Sequence, residues 1–176
     1  DGYFSSSDLD IELSGAANFS TPLKIDGKSL SVDCSGAAAL SIYGDFDEVS
    51  IEASGAACVD YIGNAKNIEG DFSGASRLYL QGDNRKSEIE CSGASNMKMK
   101  GKGENIHLEA SGACKIDAKD DSVRNAEIDL SGASIAKITV TDELRHDVSI
   151  ASKLTYYGNP KMVNLSEIKN VVQGGM

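Results

Sequence analysis

The tripeptide Ser-Gly-Ala recurs along this chain at nearly constant spacing. The successive intervals between copies are 21, 19, 19, 19, 19, 20 and 18 residues. A fixed period of this length is typical of a solenoid, in which each repeat packs only on its neighbours. Seven copies begin at Ser14, Ser35, Ser54, Ser73, Ser92, Ser111 and Ser131, and a degenerate eighth copy is Ser149-Ile150-Ala151.

Each copy follows a five-residue alternation of apolar and polar side chains. In the third repeat it reads Val49-Ser50-Ile51-Glu52-Ala53, and in the sixth it reads Ile106-His107-Leu108-Glu109-Ala110. Alternation with period two and β-branched residues predicts half-buried strands, and no segment has a helical period. The sequence therefore predicts an all-β fold, a single parallel β-helix (solenoid) of about eight coils with a ~19-residue repeat. We expect right-handed coiling, with equivalent strands paired one coil apart.

The repeat ends near residue 160. We predict a β-helix repeat domain over residues 1–160 and a C-terminal cap or tail over residues 161–176, because the open end of a solenoid must be covered. The inward positions that we expect to be buried are Leu13, Ile51, Ile89, Leu108 and Ile128. The apolar side chains available to cover the last coil are Val163, Leu165, Ile168, Val171 and Val172.

Two further motifs carry a resemblance to a known family. Residues 71–76 and 129–134 read Asp-Phe-Ser-Gly-Ala-Ser and Asp-Leu-Ser-Gly-Ala-Ser, and residues 157–160 read Tyr-Gly-Asn-Pro. With these motifs the chain resembles the family "putative auto-transporter adhesin, head GIN domain" over about residues 8–160. The resemblance implies an exported β-helical protein of adhesin type, often a lipoprotein, and it names no ligand or catalytic residue. The chain departs from the family at Ile150, which replaces Gly, and in a shorter section before Asp8.

Charge and side-chain chemistry exclude several functions. The net charge of −10 argues against nucleic acid or an anionic membrane surface as a partner. Eight equivalent corner serines, with only His107 and His146 as bases, predict no activated nucleophile. We therefore predict no catalytic residue, no cofactor and no enzymatic activity.

One column of acids is expected along the outside of the stack. Neighbouring carboxylates roughly 4.8 Å apart in water repel by about 0.9 kcal/mol per pair. A solvated face, bound Ca²⁺ or a basic partner surface would each offset this repulsion, and the sequence leaves all three open. No metal site is predicted, but the candidates for Ca²⁺ are Glu69, Asp71, Glu88 and Glu90. The column contains Glu12, Asp33, Glu52, Asp71, Glu90, Glu109, Asp129 and Asp147, and the column beside it adds Asp10, Glu69, Glu88 and Glu127.

Basic residues occupy a different part of the repeat, on outward positions after the corner. Solvation explains them, and side-to-side assembly with the acidic column is the alternative. Two pairs of cysteines, Cys34/Cys91 and Cys58/Cys114, fall three coils apart, roughly 14 Å, and Cys91 and Cys114 fall in neighbouring coils but in different columns. We therefore expect all four to be free, acting mostly as small core residues. The basic residues are Lys98, Lys100, Lys115, Lys119 and Lys137, and the cysteines are Cys34, Cys58, Cys91 and Cys114.

The favoured interpretation is a noncatalytic extracytoplasmic module for adhesion or scaffolding in the periplasm, the outer membrane or at the cell surface. Its partner would be an unidentified glycan or protein, and a lipid anchor upstream of Asp1 would be its sole contact with a membrane. The alternative is a self-assembling scaffold similar to bactofilin polymers, joined side to side or end to end. A β-helical polysaccharide-degrading enzyme fits less well, because the acids are spread over every coil and the chain has no Trp.

Overall fold

A computed structural model describes residues 3–164 and 170–175 and confirms an all-β parallel solenoid of about nine turns. None of the described residues forms a helix long and apolar enough to cross a bilayer. The count exceeds eight because strands before the first corner and after the last one add partial turns. The described strands are β1 (Tyr3–Leu13), β2 (Asn18–Cys34), β3 (Ala39–Tyr43), β4 (Phe46–Ala53), β5 (Cys58–Ile62), β6 (Ala65–Phe72), β7 (Arg77–Gln81), β8 (Asn84–Cys91), β9 (Asn96–Ala110), β10 (Lys115–Leu130), β11 (Ile135–Val148), β12 (Lys153–Tyr157), β13 (Lys161–Asn164) and β14 (Val171–Gln173).

Every described strand pairing is parallel and joins equivalent positions of successive coils, which form two ladders. The pre-corner ladder runs through β1, the second half of β2, β4, β6, β8, the second halves of β9 to β11, and β13. The post-corner ladder runs through the start of β2, β3, β5, β7, the first halves of β9 to β11, β12 and β14. Parallel pairing keeps each sequence position in one column.

The core is a set of apolar columns inside the stack. Ile51, Ile89, Leu108 and Ile128 are buried as predicted, with at most 1% exposure. The prediction for Leu13 is wrong, because it is only half-buried in a first turn that pairs with one neighbour. Where Gly70 interrupts a column, the Phe72 ring occupies the space that a Cβ would need, so the layer stays filled.

The Ser-Gly-Ala corner needs a glycine because its backbone is left-handed. Gly55 has φ of 71°, a conformation in which a Cβ is strained. At this corner the Ala56 N–H donates to the Gly36 carbonyl of the preceding coil at 2.7 Å, so the turns also stack. In the last coil Ile150 is 94% exposed, and no described non-glycine residue has a positive φ, so that corner has a different backbone.

The second corner combines a glycine with an Asp or Asn. Gly63 lies so close to the Gly44 carbonyl of the preceding coil that a Cβ would overlap it. The next residue carries a side-chain oxygen that accepts the backbone N–H of the equivalent residue one coil on. This Asx ladder joins Asp26 to Asp45, Asp45 to Asn64, Asn64 to Asp83 and Asp83 to Lys102, at 2.7, 2.7, 2.9 and 2.9 Å.

The unequal intervals of the repeat correspond to irregular pairing. The 21-residue interval contains a register shift between Ser20 and Lys24 in β2, and the 20-residue interval contains one between Asp117 and Asp120 in β10. Extra residues are therefore absorbed as bulges while the columns on either side are kept.

After residue 160, strands β13 and β14 continue the two ladders over β11 and β12. Of the apolar residues expected to cover this end, Val171 is buried, Val163 is half-buried and Val172 is 48% exposed. Leu165 and Ile168 lie outside the described residues. The domain boundary at residue 160 stays a prediction.

The cysteines are free thiols placed differently from one another. Cys34, Cys91 and Cys114 are buried in the core, and burial raises the pKa of the Cys34 and Cys91 thiols. Cys58 is only half-buried, because it occupies an outward position of β5. It is thus not the core residue that the repeat predicted.

Candidate functional site

The predicted acidic column is in register from the first coil to the last. Each member pairs with the next through the pre-corner ladder. All are exposed except Asp129, which is half-buried. The column comprises Glu12, Asp33, Glu52, Asp71, Glu90, Glu109, Asp129 and Asp147, and we call it the acidic column.

The neighbouring column contains basic side chains as well as the acids expected there. That column also contains His107 and Arg145, one on either side of Glu127. His107 Nε2 lies 3.0 Å from Glu109 Oε1, and Arg145 Nε lies 2.9 Å from Glu143 Oε1. Lys86 Nζ lies 2.7 Å from Glu88 Oε1 and lowers the pKa of Glu88 through that hydrogen bond. The cations Lys86 and Arg145 therefore offset part of the negative charge of the glutamates beside them.

The four Ca²⁺ candidates form two facing pairs. Glu69 pairs with Glu88 and Asp71 with Glu90 in the strand register, and all four are exposed around one shallow hollow of about 370 Å³. Carboxylates on such a surface are also satisfied by water, so the expectation of no metal site, with these four residues as the candidates for Ca²⁺, stays a prediction.

A tighter group of metal-type ligands lies in the next two coils and was not predicted as a set. Among the described residues, His107, Glu109 and Asp129 bring one ligand atom each within 4.8 Å of one another. Burial raises the pKa of Asp129, and its buried Oδ1 has no hydrogen-bond partner. One imidazole with two carboxylates suits Zn²⁺ better than Ca²⁺, which prefers oxygen ligands alone. The sequence signal was the His-x-Glu of residues 107–109 stacked on the Asp of the next repeat.

We expect Na⁺ and Ca²⁺ at equal ionic strength to raise the melting temperature equally, because both screen the acidic column. The variant Asp71→Asn/Glu90→Gln should be more stable than the wild type and respond less to salt. Thermal unfolding followed by circular dichroism measures both effects. A larger Ca²⁺ shift that disappears in the variant would instead make these residues a calcium site, because a bound ligand stabilises the native state specifically.

A buried carboxyl group, Asp121, is the least expected residue of the structure. It follows the bulge of β10, is 1% exposed, and neither carboxylate oxygen has a hydrogen-bond partner. Burial raises its pKa to about 6, and the negative charge of Asp83 contributes. The longer interval before Ser131 was its only signal in the sequence.

The raised pKa predicts that stability falls as pH rises. The folded state keeps the Asp121 proton to about pH 6, whereas the unfolded chain loses it near pH 4, so stability decreases between these values and stays low above them. We expect Asp121→Asn to raise the unfolding free energy by about 1 to 2 kcal/mol at pH 8 and to change it little at pH 4. Urea unfolding at both pH values tests this, with the exposed Asp120→Asn as the control. Equal effects of Asp121→Asn at pH 4 and pH 8 would contradict the assignment.

The outer face of the post-corner ladder has a different character. A shallow groove of about 490 Å³ runs across β5, β7, β9, β10 and β11. Tyr79 and Ile135 supply apolar surface there, with Ile135 41% exposed. Three of the five predicted lysines, Lys98, Lys115 and Lys137, line this groove.

The other two predicted lysines lie beside aromatic rings. Lys100 Nζ lies 5.9 Å from the centroid of the Tyr79 ring, and Lys119 Nζ lies 4.9 Å from that of Tyr157. These cation–π contacts attach both side chains to the surface. All five lysines point outward, as the repeat predicted, although Lys100 is half-buried.

The corner serines and the two histidines are not brought together. His107 lies on the acidic side and contacts Glu109, while His146 is fully buried and neither ring nitrogen has a partner. The small polar column after the corner includes buried Ser76 and Ser95, whose hydroxyls lie 3.0 Å apart. This contact joins two successive coils and stabilises the stack.

Comparison with known proteins confirms the family resemblance. A family model described as "Putative auto-transporter adhesin, head GIN domain" matches residues 62–160, more than half of the chain. The match begins later than residue 8, where the motifs had placed the start of the resemblance. No curated protein and no solved structure matches the chain.

Proposed function

The chain belongs to the family of putative auto-transporter adhesin, head GIN domains, and from this premise we propose that it is a noncatalytic, extracytoplasmic module that binds a ligand at a surface. The adhesin description of the family supports a location in the periplasm, the outer membrane or at the cell surface. The observation that carries the proposal is the groove on the post-corner ladder, which combines Tyr79 and Ile135 with basic side chains that form no ion pair among the described residues. Two carboxylates, Asp60 and Asp117, also line it.

A stacked fold suits this role. Each coil repeats the same outward positions at a rise of roughly 4.8 Å. A ligand made of several units therefore meets side chains at equivalent positions, one coil after another. The stacked glycines hold those positions in fixed register, and the Asx ladder adds to this as far as Lys102. Binding therefore requires little ordering of the protein, which favours affinity.

A glycan and matrix-protein binding array, run with and without Ca²⁺, tests the proposal. We expect binding by the wild type and its loss in Tyr79→Ser/Ile135→Ser, which removes the apolar surface of the groove. Ile150→Ser is the matched control, because Ile150 is 94% exposed but lies at a corner outside the groove. Failure to bind any glycan or matrix protein, or release of products from an arrayed polysaccharide, would contradict the proposal.

The acidic column and the basic groove lie on different ladders. This observation favours a second function, a self-assembling scaffold in which the acidic column of one molecule packs on the basic groove of the next. Sedimentation velocity at increasing protein concentration separates the two. A binding module sediments as one species at concentrations where it binds its ligand. Growth into longer assemblies that NaCl dissolves would instead favour the scaffold.

A further inference from the structure

The cations of the post-corner ladder form a zigzag along the stack. In one outward column Arg77, Lys115 and Lys153 occur at every second coil, separated by Asn96 and Ile135. The adjacent outward column carries Lys98 and Lys137 in the intervening coils. Five successive coils thus present one cation each, alternately in one column and the other. We call Arg77, Lys98, Lys115, Lys137 and Lys153 the cation zigzag.

These five cations are available to a ligand. All are exposed, and within residues 3–164 and 170–175 none lies within salt-bridge distance of a carboxylate. Several cations elsewhere are paired, such as Lys24, Lys66 and Arg124, whose nitrogens lie 2.6, 2.8 and 3.0 Å from Asp oxygens. The chain therefore combines a net charge of −10 with a row of cations on one face that form no ion pair in the part of the chain that the structure describes. One carboxylate, Asp117, lies between Lys98 and Lys137 in their column.

The spacing of the zigzag indicates the shape of its ligand. Successive coils rise by roughly 4.8 Å, and the two columns lie two residues apart on the same strand, about 7 Å. An extended polymer with one anionic group per unit, pointing alternately to either side, would match this pattern. A linear β-1,4-linked polyuronate has that structure, because each sugar carries a carboxylate and successive sugars are turned over relative to each other.

The apolar groups of the groove fit the same ligand. Tyr79 precedes Lys98 in one column, and Ile135 lies between Lys115 and Lys153 in the other. A sugar ring has an apolar C–H face that packs against such side chains, and Tyr combines an apolar ring with a polar end. A ligand recognised by charge alone would gain nothing from these two residues.

Resting on the proposed function, we propose that the cation zigzag binds a linear acidic polysaccharide with a carboxylate on every sugar, lying parallel to the axis of the solenoid. Lys98, Lys115 and Lys137 pair with successive carboxylates, and Arg77 and Lys153 extend the row at its ends. The sugars between them contact Tyr79 and Ile135.

Binding of a fluorescent β-1,4-linked mannuronate hexamer, measured by polarisation at ~50 mM NaCl, tests the proposal. We expect Lys98→Glu/Lys115→Glu/Lys137→Glu to weaken binding at least about tenfold. The control Lys28→Glu/Lys102→Glu/Lys161→Glu makes the same change of net charge at exposed sites outside the zigzag and should weaken it far less. Thermal unfolding of both variants shows that each is folded.

Two other ligands and a higher salt concentration test whether binding depends on the carboxylates of the sugar chain. A neutral β-1,4-linked glucose hexamer should not bind, and ~500 mM NaCl should abolish binding of the mannuronate hexamer, because exposed charges are screened. Equal losses in the two triple variants, or no binding of the mannuronate hexamer, would overturn the proposal. Tighter binding of a single-stranded DNA hexamer would also overturn it and point to nucleic acid. If the array still detects another ligand for the charge-reversed variant, the proposed function survives and the polyuronate assignment fails.

Discussion

Replacing Gly63 with Ala is expected to lower the free energy of unfolding by more than about 4 kcal/mol or to prevent folding. Its new Cβ would overlap the Gly44 carbonyl oxygen and carbon of the preceding coil, which are backbone atoms that cannot rotate away. Relief would require the coils to separate and would break the Asx ladder beside them. Urea unfolding of the purified variant, or its recovery in the soluble fraction, measures this effect.

Gly15→Ala is the matched control for this substitution. Gly15 has φ of 70°, but a Cβ added there would meet no atom within 4 Å, so the cost is the left-handed backbone alone, about 1 to 2 kcal/mol. The two variants therefore separate close approach from conformational strain. A Gly63→Ala protein as stable as Gly15→Ala would show that the coils are further apart than the structure places them.

The second large effect is expected at Ile89, in the middle of the central apolar column. Ile89→Ala should lower the unfolding free energy by about 3 to 4 kcal/mol, because a buried branched side chain is removed and a cavity remains. The neighbouring coil has Gly70 at the same position, so no side chain from that residue can fill the space. Denaturant unfolding with an unchanged m-value measures the loss.

Ile150→Ala is the control, because its side chain is 94% exposed and should contribute less than about 0.5 kcal/mol. A loss below that value at Ile89 itself would place this column on the surface and contradict the register of the pre-corner ladder. A loss smaller than expected but above it would indicate that the Phe72 ring moves into the cavity.

The repeat was sufficient to predict the fold and the acidic column. A period of 19 residues with alternating side chains allows one arrangement in which Asp71 stacks on Glu90. The same alternation predicted that Lys98 and Lys115 point outward. The burial of Leu13 was predicted wrongly, because periodicity assigns the same burial to every coil. The first coil has a neighbour on one side only, so its side chains are more exposed.

Contacts between different columns could not be predicted from the repeat. The grouping of His107 with Asp129 depends on diagonal distances across two coils, which the alternation does not fix. The burial of Asp121 depends on how the bulge of β10 turns an extra residue inward, and the interval of 20 residues gives only its approximate place. The cation zigzag could not be identified from the sequence. Its definition depends on which cations form ion pairs, and only the side-chain positions show this.

The Asx ladder has a mechanical consequence. Its rungs tie each coil to the next from Asp26 to Lys102, and Lys102 carries no amide or carboxylate to continue them. When the solenoid is pulled along its axis, the coils joined by these hydrogen bonds should resist separation together. The first pair of coils to separate should lie beyond Lys102, near the bulge of β10. Pulling single molecules from their ends would then show a C-terminal section that yields first and an N-terminal section that withstands higher force. The proposed ligand lies on a face that spans both sections. Separation of the coils beyond Lys102 would then limit the force that acts on the contact between the protein and its ligand.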